Sequence, residues 1–351
     1  MVQYIISGHK NVRAALRDTQ TYSSDLQGDA DVRDYRQLPL ESDPPRHHVY
    51  RAALSPMFVR PRINAFEPKF RETASRLLDA FKENGGGEFV HQVALPFVIE
   101  CLGIIYDRPQ YVEEWLSWGP DVWTAESNGR SGVSLHRYLD RVYNEPIPNS
   151  SADIWSFVKN LDLDGATPTY EEFKGIAGVL LAGGRDTVVK LMSGATWHLM
   201  QSPKDVLRLQ AGEVSVESAI QEFLRFFTPL PAMARVTPEQ QHLSDEQRDP
   251  TKFASINFLS ANFDAEVFDQ PEVIDITRSR IAHLSFGFGP HTCIGNHVAE
   301  VETQALLKEM LPRMAAWQLD GSPKISWNAQ LGFNFPERID ELRIVVESSE
   351  S

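Results

Sequence analysis

The sequence predicts a mainly α-helical protein with a small β component, and three observations carry that expectation. Apolar residues recur at helical spacing over 10–19, 63–81, 90–106, 170–200, 216–227 and 296–311. Strand-like runs are short: 2–7, 232–236, 253–259 and a terminal hairpin over 324–346. Hydrophobic residues make up 42% of the 351 residues, enough for a substantial core. Length alone allows one large domain or two.

Composition removes several function classes. A net charge of −14 argues against a general nucleic-acid binder and against an anionic membrane surface as partner. Cys101 and Cys293 are the two cysteines, so no disulfide framework is indicated. The first residues are too briefly apolar for a signal peptide, and no run reaches membrane-spanning length. A cytoplasmic protein, bound to neither membrane nor nucleic acid, is the expectation.

Taken in order, residues 10–19 put Val12, Ala15 and Leu16 on one helix face. Residues 26–42 are polar and irregular, a loop. Asp43-Pro44-Pro45 then marks a turn and a helix start. His47 and Arg51 follow four apart on one face. From 44 to 66 there are arginines at 46, 51, 60 and 62 and no acid, a basic patch in an acidic chain. Gly85-Gly86-Gly87 separates the helices at 63–81 and 90–106, and Cys101 falls in an apolar run that reads as core. The span 111–143, with Trp115, Trp118 and Trp123, reads as packing.

The helix at 170–200 contains a conflict. Gly183-Gly184 lies in its apolar centre, where each glycine costs about 1 kcal/mol against alanine. A flat group must approach there, or the helical ladder must open. Glu222 and Arg225 sit three apart on the helix at 216–227, alone a commonplace ion pair.

The stretch Phe286-Gly-Phe-Gly289-Pro-His291-Thr-Cys293-Ile-Gly295 concentrates the chemistry. A thiolate is the metal-binding form of cysteine, and a helix N-terminus directly after it favours negative charge. Gly289 and Gly295 permit backbone angles and close approach that a Cβ would block. Phe286 offers a flat face to a flat cofactor. The order Phe-x-x-Gly-x-His-x-Cys-x-Gly resembles the haem-binding loop of the cytochrome P450 family.

That resemblance extends along nearly the whole chain and carries the following expectations. The fold is the cytochrome P450 fold, one domain over 1–351 with a small β-rich lobe and haem between the distal helix and the cysteine loop. Family members usually carry several tens of residues before the first strand, so either Met1 is downstream of the true start or the protein is trimmed. Cys293 is the axial ligand of the iron of haem b. Gly183-Gly184-x-Asp186-Thr187 resembles the distal oxygen-pocket motif, with Thr187 hydrogen-bonding dioxygen and Asp186 relaying protons. Asp-Pro-Pro-x-His-x-x-x-Arg assigns His47 and Arg51 to a haem propionate, joined by Arg235 and by His283. Gly183, Phe286, Gly289, His291 and Gly295 complete the cofactor contacts. Glu222 and Arg225 match a structural Glu-x-x-Arg pair. Ala261-Asn262-Phe263-Asp264 departs from the family's Ala-Asn-Arg-Asp turn, which puts one internal ion pair in doubt. The spans 111–143 and 144–152 cover the lid helices, residues 230–233 line the substrate pocket, and the hairpin tip at 333–335 touches substrate.

The resemblance implies a monooxygenase that inserts one atom of O2 into a small or medium, apolar organic substrate. No flavin or iron–sulfur module accompanies it, so ferredoxin and a ferredoxin reductase supply the electrons, with Arg60 and Arg62 as surface candidates for docking. A peroxide-using peroxygenase and a non-enzymatic haem sensor are the alternatives. The acid–threonine pair argues against the first.

Overall fold

The computed structural model describes residues 4–26, 35–118, 133–146, 153–244, 247–329, 332 and 334–347. The helical periodicities become helices, broken where the backbone loses a donor. Strand β1 (Tyr4–Ile6) leads into α1 (His9–Ala15), shorter than the expected 10–19. Helix α2 (Arg46–Leu54) follows the two prolines, as expected. The run 63–81 divides into α3 (Arg60–Asn64) and α4 (Glu67–Glu83). Pro68, in the first turn of α4, has no N–H to continue an earlier ladder and is tolerated only at a helix start.

The glycine triplet is more than a separator. Gly86–Glu88 forms β2, with Gly86 at φ 99°. A Cβ at Gly86 would lie 2.0 Å from the Ile344 carbonyl oxygen, so only glycine lets these strands meet. A wide π-type turn, Val90–Ala94, then precedes α5 (Leu95–Ile105). Pro96 cannot donate back to that turn. Glu88 caps the turn by accepting from Val90 N at 3.0 Å and His91 N at 2.7 Å.

Helices α6 (Val112–Ser117), α7 (Val133–Asn144) and α8 (Ile154–Lys159) follow. The aromatic span is packing, as expected: Trp115, Tyr138 and Trp155 are buried, and Trp155 donates to the Tyr138 hydroxyl at 2.8 Å. Trp123 and much of the expected lid (119–132 and 147–152) lie outside the described residues, as does position 333 of the hairpin tip.

The stretch 170–200 is two helices, α9 (Tyr170–Gly183) and α10 (Asp186–Gln201). A capping box opens α9: the Thr169 hydroxyl accepts from Glu172 N, and Glu172 accepts from Thr169 N. Glu172 also accepts from Arg46 at 2.7 Å and from the Tyr50 hydroxyl at 2.6 Å, which fixes α2 against the start of α9. Then come α11 (Pro203–Gln210), α12 (Val216–Phe227), β3 (Ala232–Arg235) and β4 (Ala254–Asn257). Asn257 ends β4 by accepting from Ser260 N at 2.8 Å, so the expected strand 253–259 turns into α13 (Phe258–Asn262).

The last helix, α14 (Asn296–Met310), packs along α4 and against α12 and α10. Strands β5 (Trp317–Leu319), β6 (Lys324–Asn328), β7 (Phe335–Glu341) and β8 (Arg343–Val346) follow. Only β6 and β7 form the expected terminal hairpin; β8 leaves it and joins β2 and β5 in a separate sheet. A third sheet has the order β1-β4-β3. It carries Arg235 at the end of β3, beside the segment leading to α2.

Candidate active site

The cysteine loop is held by its own backbone. Cys293 N donates to the Phe286 carbonyl at 2.8 Å, and Gly287 N to Leu284 O at 2.8 Å. Gly289 has φ 74°, and a Cβ there would stand 2.9 Å from the Leu16 carbonyl oxygen. Gly295 leads straight into α14, and its backbone N–H opposes the rise in the Cys293 pKa. The Cys293 side chain is exposed, yet it lies deep enough that burial pushes its thiol up; Gly295 N–H and Arg51 oppose the shift. A group on the wall of an internal cleft shows both properties. Phe286 is half-buried against the core, next to His283.

Helix α2 brings His47 to this loop. The His47 and His291 rings lie 4.1 Å apart between centroids. Both His47 ring nitrogens and Nε2 of His291 are buried without a hydrogen-bond partner. Burial lowers the His47 pKa to about 4, helped by the charges of Arg51 and His48. It lowers that of His291 to about 3, helped by His47, Arg235 and Arg51. Arg235 is 5% exposed, and burial lowers its pKa to about 10 despite the charge of Asp43. Its Nη1 reaches only the adjacent Ala234 carbonyl, at 2.8 Å. Arg51, one turn beyond His47, is also lowered by burial, with Cys293 opposing. Among the described residues neither Arg51 nor Arg235 has an acid at ion-pair distance. Asp43 was not singled out for this site, although it heads the Asp-Pro-Pro signal. It is held by the Ser23 hydroxyl and by Ser24 N at 2.9 Å.

His283 does not join this group. Its Nδ1 accepts from Ser285 N at 3.2 Å, which leaves Nε2 to donate to Gln221 Oε1 at 3.0 Å. Burial lowers its pKa to about 4, so the neutral ring with both nitrogens satisfied is the stable form. Position 291, two before the cysteine, is the one the fold sets beside His47.

The break between α9 and α10 separates the roles of the two glycines. Gly183 is exposed amid buried helix, and a Cβ there would meet nothing within 4 Å. Gly184 is a packing glycine: a Cβ there would sit 3.0 Å from Leu102 Cδ2. Arg185, at φ −108° and ψ −81°, leaves the helical path. The Thr187 hydroxyl donates to the Gly183 carbonyl at 3.2 Å, bridging the interruption. Asp186 opens α10 with its carboxylate partly exposed.

Glu222 and Arg225 are fully buried, 2.7 Å apart, and Arg225 also donates to the carbonyls of Asn262, Pro271 and Val273. Arg278 adds a second cation, 3.1 Å from Glu222. Phe263, in place of an arginine, packs against Phe226 and Phe335 and lies 5.5 Å from the Arg225 guanidinium. Aromatic packing therefore occupies the place of the ion pair in doubt.

No helix among the described residues is long and apolar enough to cross a membrane. The cytochrome P450 family model matches residues 215–335, which span Glu222 to the end of the cysteine loop and beyond. Among curated proteins, "Probable cytochrome P450 127A1" of Sinorhizobium fredii is 29% identical, over 90% of this chain and 78% of its own. The steroid C26-monooxygenase of Mycobacterium tuberculosis is 28% identical, over 78% of this chain and 77% of its own. The solved structure of a carbohydrate-active P450 superposes with a TM-score of 0.86 at 28% identity, covering 98% of this chain and 92% of that one.

Proposed function

This chain belongs to the cytochrome P450 family, and we propose that Cys293 ligates its haem iron while the cations around His47 hold the haem carboxylates. The enzyme is a monooxygenase using haem, O2 and electrons from a redox partner. When bound, a thiolate-ligated haem would supply the chemistry by which O2, reduced with electrons from that partner, yields one atom to an organic substrate. The protein's own residues do the rest.

The observation that carries the assignment is a set of buried and half-buried imidazoles and guanidinium groups, short of acidic partners among the described residues, beside a deep cysteine. Among the described residues Arg51 and Arg235 have no acid at ion-pair distance, and the buried ring nitrogens of His47 and Nε2 of His291 have no hydrogen-bond partner, an arrangement that is costly for the protein alone. A flat dianion, haem b with its two propionates, matches that set in charge and hydrogen-bonding capacity. Gly183 leaves the α9 side clear for a flat ring, while Gly289 and Gly295 bring the cysteine loop close from the other. Burial alone holds Cys293 as a thiol. A bound metal deprotonates it outright, and the Gly295 N–H and Arg51 stabilise the thiolate. In this reading the Thr187 hydroxyl, which donates to the Gly183 carbonyl at 3.2 Å, passes a proton inward. In the same reading Asp186, whose carboxylate is partly exposed, takes that proton from solvent.

We read residues 1–351 as one such domain, cytoplasmic, served by a ferredoxin and its reductase. Relatives named for steroid and carbohydrate substrates differ widely in chemistry, so the substrate reading stays at a small or medium organic molecule bound on a largely apolar wall that includes residues 230–233. The test is the spectrum of the ferrous–CO form. The wild type should show the red-shifted Soret band of thiolate ligation, and Cys293→Ser should lose it. An imidazole-type band in the wild type would reject the assignment. For the proton role, Thr187→Ala should keep haem and divert electrons to peroxide.

A further inference from the structure

Arg185 is among the largest fully buried side chains, yet it occupies the interruption between α9 and α10, one residue before Asp186. Its Nη1 donates to the Trp115 carbonyl at 3.1 Å, and its Nε forms an ion pair with Asp186 Oδ1 at 3.4 Å, a charge contact rather than a hydrogen bond. Trp115 belongs to the last turn of α6, and its carbonyl, which also accepts from Trp118 N at 3.5 Å, lies at the negative end of the helix, where a cation is favoured. The guanidinium also borders a small cavity lined by Ile99, Leu102, Trp115, Trp118 and Leu181. A buried cation must be held by several acceptors at once, and the planar fork of arginine can span two elements where lysine cannot.

We propose that Arg185 is a positioning residue that ties the Asp186 carboxylate to helix α6, so that proton delivery through Asp186 and Thr187 depends on α6 being docked. The inference rests on the haem-thiolate reading above. Asp186 takes a proton from bulk water, and the proton moves inward through the Thr187 hydroxyl as the carboxylate is regenerated. With the carboxylate free to rotate, that hand-over loses its geometry, and reduced oxygen leaves as peroxide rather than water.

The test uses the haem-loaded protein with a surrogate plant-type ferredoxin, its reductase and NADPH, without added substrate. The share of consumed O2 recovered as H2O2 is measured for wild type, Arg185→Leu, Asp186→Asn and the double variant. Amide hydrogen exchange of peptides covering 112–117 and 184–190 is followed without turnover. Arg185→Leu should raise the peroxide share severalfold, as Asp186→Asn does, and the double variant should rise no further. Exchange in both peptides should quicken together. A wild-type peroxide share in Arg185→Leu, or fully additive effects in the double variant, would overturn the proposal even if α6 loosens. If Arg185→Leu does not fold, Arg185→Lys decides: it keeps the charge but not the fork, a raised share supports the tie, and a wild-type share overturns it. The ferrous–CO band keeps the two readings apart, since it stays thiolate-type in every variant whether or not the Arg185 proposal holds.

Discussion

On the face formed by α3, α4, α5 and α14, basic side chains stand beside acids. Arg60 meets Glu300, Arg71 meets Glu309 at 2.6 Å, Arg76 meets Glu100, Lys308 meets Glu67 at 3.1 Å and Arg313 meets Asp79 at 2.9 Å. Around His47 the arrangement is reversed. Arg51 and Arg235 are drawn out of solvent with no acid at ion-pair distance among the described residues, and two imidazoles beside them keep unmet ring nitrogens. The first pattern is ordinary surface neutralisation, worth ~0–1 kcal/mol per pair. The second is unfavourable for the protein alone and becomes favourable only when an anion enters. An unpaired buried cation thus marks a site where a paired exposed one marks a surface.

The largest effect separates a satisfied buried pair from both groups. Glu222→Ala leaves Arg225 buried and short of its acid, and should cost about 3–5 kcal/mol in denaturant unfolding. A loss under about 1 kcal/mol would show that the buried pair contributes no more than a surface pair does.

Arg235→Leu should behave in the opposite way. The haem-free protein should be no less stable than wild type, because an unpaired cation has been removed. Haem affinity should fall roughly 10–100-fold, the worth of a charge-assisted hydrogen bond. A variant that loses folding stability but keeps haem affinity would place Arg235 among the structural cations.

His47 sharpens the same contrast through pH. Its pKa is about 4 in the fold against a usual 6.5, so between those values the unfolded chain binds the extra proton. Stability of the haem-free protein should therefore fall as pH drops from about 6.5 towards 4. A carboxylate beside His47 raises its folded pKa, so the haem-loaded protein should lose less over that window. Parallel pH–stability curves for the two forms, each fitted with His47→Gln as reference, would separate His47 from the haem carboxylates.

The smallest effect belongs to Arg60. Its charge is already neutralised by Glu300, which itself accepts from Gln221 at 3.0 Å. Arg62 stands 5.8 Å from the Phe66 ring and is half-buried. Arg60→Ala should shift stability by about 0.5 kcal/mol or less. Stopped-flow reduction by ferredoxin should show little loss of rate at low salt in this variant. A large, salt-screened loss would restore Arg60 as a steering charge.

The readable parts of the fold were those written in local signals. The glycine pair at 183–184 announced the break between α9 and α10, the prolines at 44 and 45 announced α2, and the spacing around Cys293 announced the loop and the helix behind it. What was hidden depended on partners distant in sequence. Gly85-Gly86-Gly87 read as a spacer because nothing local shows that β8 arrives against it. The terminal hairpin absorbed β8 for the same reason. His283 and His291 both precede the cysteine, and only the fold shows that Gln221 occupies one while His47 meets the other. The pairing of Arg60 with Glu300 joins residues 240 apart, beyond the reach of any local pattern. Arg185 looked like a variable position inside a motif until Trp115 and Asp186 appeared on either side of its guanidinium.

The central claim, that the cations around His47 exist to receive the haem carboxylates, is tested most directly by the rate of haem loss. Wild-type protein loaded with haem, or with haem whose two propionates are esterified, is mixed with excess apomyoglobin. The account predicts that the ester leaves at least about tenfold faster, a difference of ~1.4 kcal/mol. It also predicts that the difference disappears when Arg51 and Arg235 are both leucine. Equal rates of loss for haem and its ester from the wild type would contradict it.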